Sequence, residues 1–189
     1  MNRTSLIIIL TGCVLCLVAA IAYWPRAALP PASSQTAAVV KPSGLPMRLR
    51  IPAISVDAPL EHVGLTATEA MDAPRVPADA AWYDLGPRPG AIGDAVIDGH
   101  YGWKDSIPAV FDHLSELRSG DMIYVTDDMG STTAFVVRSS RIYGANDDAA
   151  SVFIPTDGMV HLNLITCGGA WNGVAKSYSD RLVVFADKA

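Results

Sequence analysis

Short runs in which apolar and polar residues alternate dominate this chain beyond its N-terminal region. The run Met47–Ile51 alternates at a period of two and stops at Pro52, which is the pattern of an edge strand. Similar runs follow, separated by turns rich in glycine, proline and aspartate: Ala58–Val63, Ala95–Asp98, Met122–Thr126, Thr132–Arg138, Met159–Thr166 and Arg181–Ala186. Many short strands joined by such turns predict an all-β barrel or sandwich.

One segment has helical rather than strand spacing. Val110, Leu114 and Leu117 would fall on one face of a helix. We therefore predict a short helix over Val110–Leu117 that packs against the barrel.

The N-terminal region has a different pattern, with 18 uncharged residues over Leu6–Tyr23. As a helix this run would be roughly 27 Å long, close to the thickness of a bilayer core. A signal peptide cleaved after Ala22 and a lipoprotein site ending at Cys13 are the alternatives. An uncleaved anchor fits the length of the run and its flanking residues, Arg3 and Arg26, best.

These patterns divide the chain into three parts. Residues 1–24 are predicted to be the membrane anchor, and residues 25–46, rich in Ala, Pro and Ser, a linker. Residues 47–189 form the folded domain. We expect a single-pass membrane protein whose domain lies outside the cell membrane.

Composition agrees with a folded domain and excludes one class of partner. Apolar residue types make up 50% of the chain and charged types 17%, which suffices for a core. The net charge is −5, and the basic residues are scattered. Nucleic acid is therefore not an expected partner.

The distribution of cysteines points to a nucleophile. Cys13 and Cys16 lie in the apolar N-terminal run, so Cys167 is the one thiol of the folded domain and has no disulfide partner there. It follows an apolar strand and precedes Gly168-Gly169, whose amides can approach a bound carbonyl oxygen. The alternative is an inert, buried thiol.

A thiol nucleophile needs a base, and the chain has four histidines. His100 follows the predicted strand Ala95–Asp98 after a single glycine, Gly99, so it is the candidate base. His62, His113 and His161 are expected to be surface residues or residues with satisfied hydrogen bonds.

A cation is the third candidate. Arg181 opens a strand that is apolar on both faces, where an unpaired charge is costly. If residues 167–180 form a loop between two antiparallel strands, Arg181 lies beside Cys167 and can bind an oxyanion. The alternative is a surface ion pair between Arg181 and Asp180.

Together these segments resemble the sortases. The resemblance rests on Asp98-Gly99-His100, on Leu164-Ile165-Thr166-Cys167 and on Arg181 within Tyr178–Phe185, and it runs from Met47 to the C-terminus. Arg48–Ile54, Val56–Leu60, Trp82-Tyr83 and Leu164–Gly169 are most similar to class F sortases of actinobacteria. The segment Tyr101–Asp105 departs from the family pattern, in which a Val-Asp-Ser-like run is expected.

The resemblance implies an eight-stranded β-barrel with short helices and a membrane-anchored cysteine transpeptidase. His100, Cys167 and Arg181 match the catalytic residues, and Thr166 matches a position that helps to shape the substrate-binding pocket. The implied partners are the LPXTG-like sorting signal of surface proteins and an amine of a cell-wall precursor.

Two other activities remain open: a cysteine peptidase or another peptidoglycan transpeptidase, and a non-catalytic, tethered barrel that binds wall components. No cofactor is expected. The aspartate pairs Asp127-Asp128 and Asp147-Asp148 lie in polar turns, so no metal site is predicted there.

Overall fold

The computed structural model describes residues 44–144, 146–154, 157–174 and 177–189. They contain eight strands: β1 Pro46–Ile51, β2 Val56–Val63, β3 Ala80–Tyr83, β4 Gly93–Gly99, β5 Met122–Asp127, β6 Thr132–Gly144, β7 Val160–Asn172 and β8 Ser177–Lys188. Short 3-10 turns lie at Pro52–Ile54, Lys104–Ser106, Leu114–Glu116 and Ala150–Val152. The predicted membrane anchor and nearly all of the predicted linker lie outside the described residues. Within the described part, no helix has the length and apolar character needed to cross a bilayer.

The strands close into a barrel in the order β1-β2-β3-β4-β7-β8-β6-β5, which confirms the all-β, eight-stranded prediction. Six of the eight strand pairs are antiparallel, and β2–β3 and β4–β7 are parallel. β7 is central to the site because it has β4 on one side and β8 on the other.

The inner face of the barrel is filled by aliphatic and aromatic side chains. Leu49, Ile97, Phe135, Leu164 and Val184 are fully buried in this core. Burial of one such side chain stabilises the fold by about 1.5–3 kcal/mol. The alternation that predicted the strands is therefore the alternation between this core and the outer face.

A second apolar cluster covers part of the outer face. It joins Val96 of β4, Ile165 of β7 and Val183 of β8 to Tyr143 and Val152. These strands are apolar on both faces because the loop around Val152 packs over them. The cluster forms an apolar surface on the outside of the barrel, next to the ends of β4 and β7.

The predicted helix over Val110–Leu117 is wrong. This segment consists of turns and a single 3-10 turn at Leu114–Glu116. Asp112 accepts hydrogen bonds from the N–H groups of Ala109 and Gly102, so its side chain stabilises a turn. Leu114 is buried in the barrel core without helical geometry.

Two strand predictions also needed correction. β3, with the sequence Ala-Ala-Trp-Tyr, was missed because alanine has a low strand propensity and the run shows no alternation. The predicted loop at 167–180 is instead the long end of the β7–β8 hairpin, which pairs as far as Asn172 and Ser177.

A charge cluster around the buried His161 connects β6, β7 and β8 at the end of the barrel remote from Cys167. His161 is only 6% exposed, and its Nδ1 lies 2.8 Å from Asp187 Oδ1 while its Nε2 lies 3.0 Å from Asp157 Oδ2. Arg138 is 3.1 Å from the same oxygen of Asp187. Burial alone would lower the pKa of His161, but the hydrogen bonds and charges of the two aspartates raise it overall.

This cluster should make stability fall as the pH rises. A histidine with a raised folded pKa stabilises fully below its unfolded pKa of about 6.5, and this stabilisation is lost as the pH passes the folded value. His161→Gln should cost about 1–3 kcal/mol at pH 6 and remove this part of the pH dependence. Urea unfolding of both proteins from pH 5 to 9 measures it. A constant difference in stability across that range would contradict the assignment.

Candidate active site

The β7–β8 ladder places the thiol and the arginine side by side. Cys167 and Arg181 are directly paired residues on these antiparallel strands, so their side chains leave the sheet on the same face. Residues paired in this way have Cβ atoms about 4.5–5.5 Å apart. Cys167 is a free, partly exposed thiol at the rim of the barrel.

The parallel β4–β7 pair brings the histidine to the same place. Asp98 is paired with Ile165, and a step of two residues along both strands leads to His100 and Cys167. His100 Nε2 donates a hydrogen bond to the carbonyl oxygen of Pro74 at 2.7 Å. Because Nε2 keeps its proton for this bond, Nδ1 is the ring nitrogen that can exchange one.

One cavity of about 800 Å³ joins the three predicted site residues. We call it the aromatic cavity; its lining consists of His100, Tyr101, Gly102, Trp103, Lys104, Cys167, Trp171, Ser177, Tyr178 and Arg181. Histidine, thiol and guanidinium in one cavity form the set needed for nucleophilic acyl transfer: a base, a nucleophile and an oxyanion donor.

A second cavity, of about 590 Å³, is also lined by Cys167 and Arg181. We call it the outer groove. Its apolar lining includes Met71, Phe153, Ile165 and Val183, so it lies on the outer apolar cluster. An extended peptide could lie in this groove with a carbonyl carbon beside the thiol.

The guanidinium of Arg181 is oriented by main-chain oxygens. Its Nη1 donates hydrogen bonds to the carbonyls of Asp180 at 2.9 Å and Tyr178 at 3.3 Å. The contact with Asp180 is therefore made through the backbone. These bonds hold Arg181 in the wall shared by the two cavities.

A match to the sortase domain family covers residues 49–189. The chain belongs to the sortase family. Sortases are cysteine transpeptidases that act on sorting signals and cell-wall precursors.

Solved structures with the same fold are sortases of classes A and C. Sortase C-1 from Actinomyces oris is 24% identical with a TM-score of 0.59, over 75% of this chain and 72% of that one. Sortase A from Corynebacterium diphtheriae is 23% identical with a TM-score of 0.60, over 78% and 62%. The pilus island 1 sortase C2 of Group B Streptococcus is 23% identical with a TM-score of 0.58, over 76% and 73%. No curated protein sequence matches the chain.

The electrostatics of this sortase site disfavour a spontaneous thiolate. Burial raises the pKa of the Cys167 thiol; the charge of Arg181 lowers it, and the charge of Asp98 raises it. The net shift is upward, so the thiol needs a proton acceptor. His100 in the same cavity can supply it.

Asp98 is a site residue to which the sequence analysis gave no role. It projects from β4 into the outer groove together with Cys167 and Arg181. Burial raises the pKa of Asp98 to about 7, against the hydrogen bond from the Gly99 amide and the charge of Arg181, both of which lower it. A carboxylate after three core-type residues, Ala95–Ile97, was the available signal in the sequence.

Thr166 lies on the inner side of the nucleophile. It is 1% exposed, and its Oγ1 donates a hydrogen bond to the Gly99 carbonyl at 2.6 Å. This bond ties the end of β7 to the residue before His100. Thr166 also lines a small cavity of about 160 Å³ beneath Cys167. Its predicted part in the substrate-binding pocket stays a prediction.

Gly169 sets the geometry of the strand just after the thiol. Its φ is +75°, and a Cβ at this position would collide with the side chains of Ser179 and Asp180. The register of the β7–β8 pair shifts between Gly168 and Trp171. This bulge redirects the hairpin so that Trp171 reaches the aromatic cavity.

The other three histidines of the chain have partners away from the thiol. His62 Nε2 lies 2.8 Å from the Pro46 carbonyl, and His113 Nδ1 lies 2.7 Å from Glu116 Oε1. His161 belongs to the remote charge cluster. Among the described residues, no group of three or more His, Cys, Asp and Glu side chains is arranged to hold a metal ion.

The effect of the Asp98 charge should be measurable as a change in the reactivity of the Cys167 thiol. Asp98→Asn removes a negative charge that raises the pKa of Cys167, so the thiol should ionise at lower pH. We expect severalfold faster alkylation by iodoacetamide at pH 8, a pH at which wild-type Asp98 is ionised.

The matched control is Asp94→Asn. Asp94 lies on the same face of the same strand, but its charged neighbours are His161, Asp157 and Arg138 rather than Cys167. It should leave the alkylation profile of Cys167 unchanged. Equal profiles for Asp98→Asn and the wild type would show that Asp98 does not act on the thiol.

Proposed function

We propose that this chain is a membrane-anchored class F sortase that cleaves an LPXTG-like sorting signal and transfers the acyl group to an amine of a cell-wall precursor. One observation carries the chemistry: His100, Cys167 and Arg181 line a single cavity. The fold and the family match support the reaction class.

Acylation begins with the sorting-signal peptide in the outer groove, where the apolar residues of the peptide contact the apolar surface formed by Ile165 and Val183. His100 accepts the thiol proton at Nδ1, and the thiolate of Cys167 attacks the threonyl carbonyl carbon. The carbonyl oxygen becomes an oxyanion, which the guanidinium of Arg181 stabilises.

Collapse of this intermediate re-forms the carbonyl and breaks the C–N bond. His100 gives its Nδ1 proton to the departing amine, and the acyl group stays on Cys167 as a thioester. An incoming amine then attacks the thioester and gives its proton to His100. The thiolate of Cys167 leaves and is reprotonated, so the enzyme is regenerated.

The class F assignment and the cellular setting rest on the sequence. The motifs of Arg48–Ile54 and Leu164–Gly169 support class F, and the uncharged run Leu6–Tyr23 supports a single membrane span. With the anchor uncleaved, a linker over residues 25–46 would let the barrel reach wall precursors outside the membrane.

Removal of the thiol tests this function. Full-length Cys167→Ala should neither cleave an LPXTG-containing peptide nor transfer it to a small amine, because the thioester cannot form. The change removes one partly exposed sulfur, so circular dichroism should show a normal fold. Turnover by the alanine variant above background would refute the covalent mechanism. Cleavage by the wild type without transfer to any amine would favour a cysteine peptidase.

Arg181→Lys tests the oxyanion role. Lysine keeps the charge but lacks the planar fork of donors that arginine presents. Loss of a preorganised donor costs about 10²–10³ in rate, so single-turnover acylation should fall by about that factor. Arg181→Ala should lose at least as much.

The same two Arg181 variants can also contradict the proposed oxyanion role. Arg181 makes its hydrogen bonds through exposed backbone carbonyls, so both variants should fold normally. Near-wild-type acylation by Arg181→Ala, with an unchanged circular dichroism spectrum, would remove Arg181 from the chemistry.

A further inference from the structure

Asp98 lies in the outer groove beside the thiol, and the proposed mechanism gives it no task. It is paired with Ile165 on the parallel β4–β7 ladder, and Ile165 belongs to the outer apolar cluster, so both side chains lie on the outer face of the barrel. Cys167 is two residues further along β7 and therefore lies on the same face. The spacing of strands and residues in a parallel sheet puts the Cα atoms of Asp98 and Cys167 roughly 8 Å apart.

The carboxyl of Asp98 has few partners within the protein. The Gly99 amide donates a hydrogen bond to it, and the charge of Arg181 attracts it. In the described part of the chain, no lysine, arginine or histidine forms an ion pair with this carboxyl. Burial nevertheless raises its pKa, because these two partners do not offset the loss of water around it. A hydrogen-bond donor on a bound ligand would supply part of what is missing.

The surroundings of this carboxyl limit the kind of donor that fits. Ile165 and Val183 line the groove next to it and form part of the outer apolar cluster. A substrate cation at this point would meet Arg181, which lines the same groove, as a like charge. A neutral donor carried on a small apolar group therefore fits better than an ammonium or a guanidinium group.

The position of Cys167 determines which part of the sorting signal reaches Asp98. For attack, the carbonyl carbon must lie about 3–3.5 Å from the sulfur. The side chain of the residue that owns this carbonyl begins two bonds away from the carbonyl carbon, so it lies in the groove between Cys167 and Asp98. In the proposed sorting signal this residue is threonine, whose Cβ carries one hydroxyl and one methyl group.

We propose that Asp98 is a specificity-determining residue that accepts a hydrogen bond from the hydroxyl of the acylated threonine, while Ile165 and Val183 contact the methyl group. This inference rests on the proposed function and adds the group that distinguishes threonine from an apolar residue of the same shape. Valine at this position of the peptide would leave the carboxyl of Asp98 without the donor, so it should be a poor substrate residue.

The test compares an LPXTG peptide with an LPXVG peptide that has the same residue at X. The two peptides differ only in a hydroxyl against a methyl group. The quantity measured is the ratio of their kcat/KM values for cleavage by the full-length protein. A change in the reactivity of the thiol, or in the fraction of folded enzyme, affects both peptides equally and cancels in this ratio. We expect the wild type to prefer threonine about 10- to 100-fold, the range of one hydrogen bond to a charged group.

Two substitutions of Asp98 separate its hydrogen bond from its charge. Asp98→Ala removes both and should lower the ratio by about tenfold or more. Asp98→Asn removes the charge but keeps an acceptor oxygen, so it should retain a larger share of the preference than Asp98→Ala. Both variants remove the charge that raises the pKa of Cys167, so the difference between them reports the hydrogen bond.

Asp147→Asn is the matched control. Asp147 also lines the outer groove, but its side chain is exposed and its Oδ2 accepts a hydrogen bond from the Gly144 amide, which an asparagine oxygen can also accept. This variant should keep the ratio of the wild type. An equal fall of the ratio in Asp147→Asn would assign the preference to the overall charge of the groove and overturn the inference.

Two further results would also overturn it: a wild type that cleaves both peptides equally well, or an Asp98→Ala variant with the ratio of the wild type. Failure of the wild type to cleave either peptide would instead refute the proposed function, and this inference with it.

Discussion

The candidate site depends on the pairing of β7 with two different partners. Its parallel pairing with β4 brings His100 to Cys167, and its antiparallel pairing with β8 brings Arg181 to the other side. Both ladders must hold their register, since a slip of one residue would turn a side chain to the opposite face. The hydrogen bond from the Thr166 hydroxyl to the Gly99 carbonyl joins β7 to β4 directly before Cys167 and His100, and so stabilises this register.

The chemistry follows from what surrounds the thiol at this junction. Burial makes the Cys167 thiolate unfavourable, Arg181 favours it, and Asp98 opposes it. Because these effects together raise the pKa of the Cys167 thiol, the thiol stays mainly protonated until His100 accepts its proton. Partial burial strengthens the charge interactions of the thiol relative to bulk water, so a change in a neighbouring charge should alter its reactivity.

Much of this arrangement could be predicted from the sequence, because the alternation of apolar residues reports burial directly. Seven strands were predicted from short apolar or alternating runs, and His100, Cys167 and Arg181 from their positions just after or at the start of such runs. Three features were not predictable in this way. Ala80–Tyr83 becomes a strand only through its neighbours, Val110–Leu117 has helical spacing but is held in turns by Asp112, and the bulge at Gly169 extends a hairpin where a loop was expected.

The aromatic side chains of the aromatic cavity illustrate why the composition of a site is harder to predict than its position. Tyr101 and Trp103 follow the histidine, whereas Trp171 and Tyr178 lie on the extended hairpin, and only the paired register brings the two groups together. No local pattern relates them. The same holds for Asp98, which the sequence placed at the end of a predicted strand but did not relate to the thiol.

The central claim is that Cys167 forms the covalent intermediate in this site. Mass spectrometry of the intact protein, mixed with an LPXTG peptide in the absence of an amine, tests it most directly. The account predicts a mass increase equal to the N-terminal cleavage fragment less one water, located on the tryptic peptide that contains Cys167. Cleavage of the peptide without an adduct on that peptide, or an adduct at another residue, would contradict it.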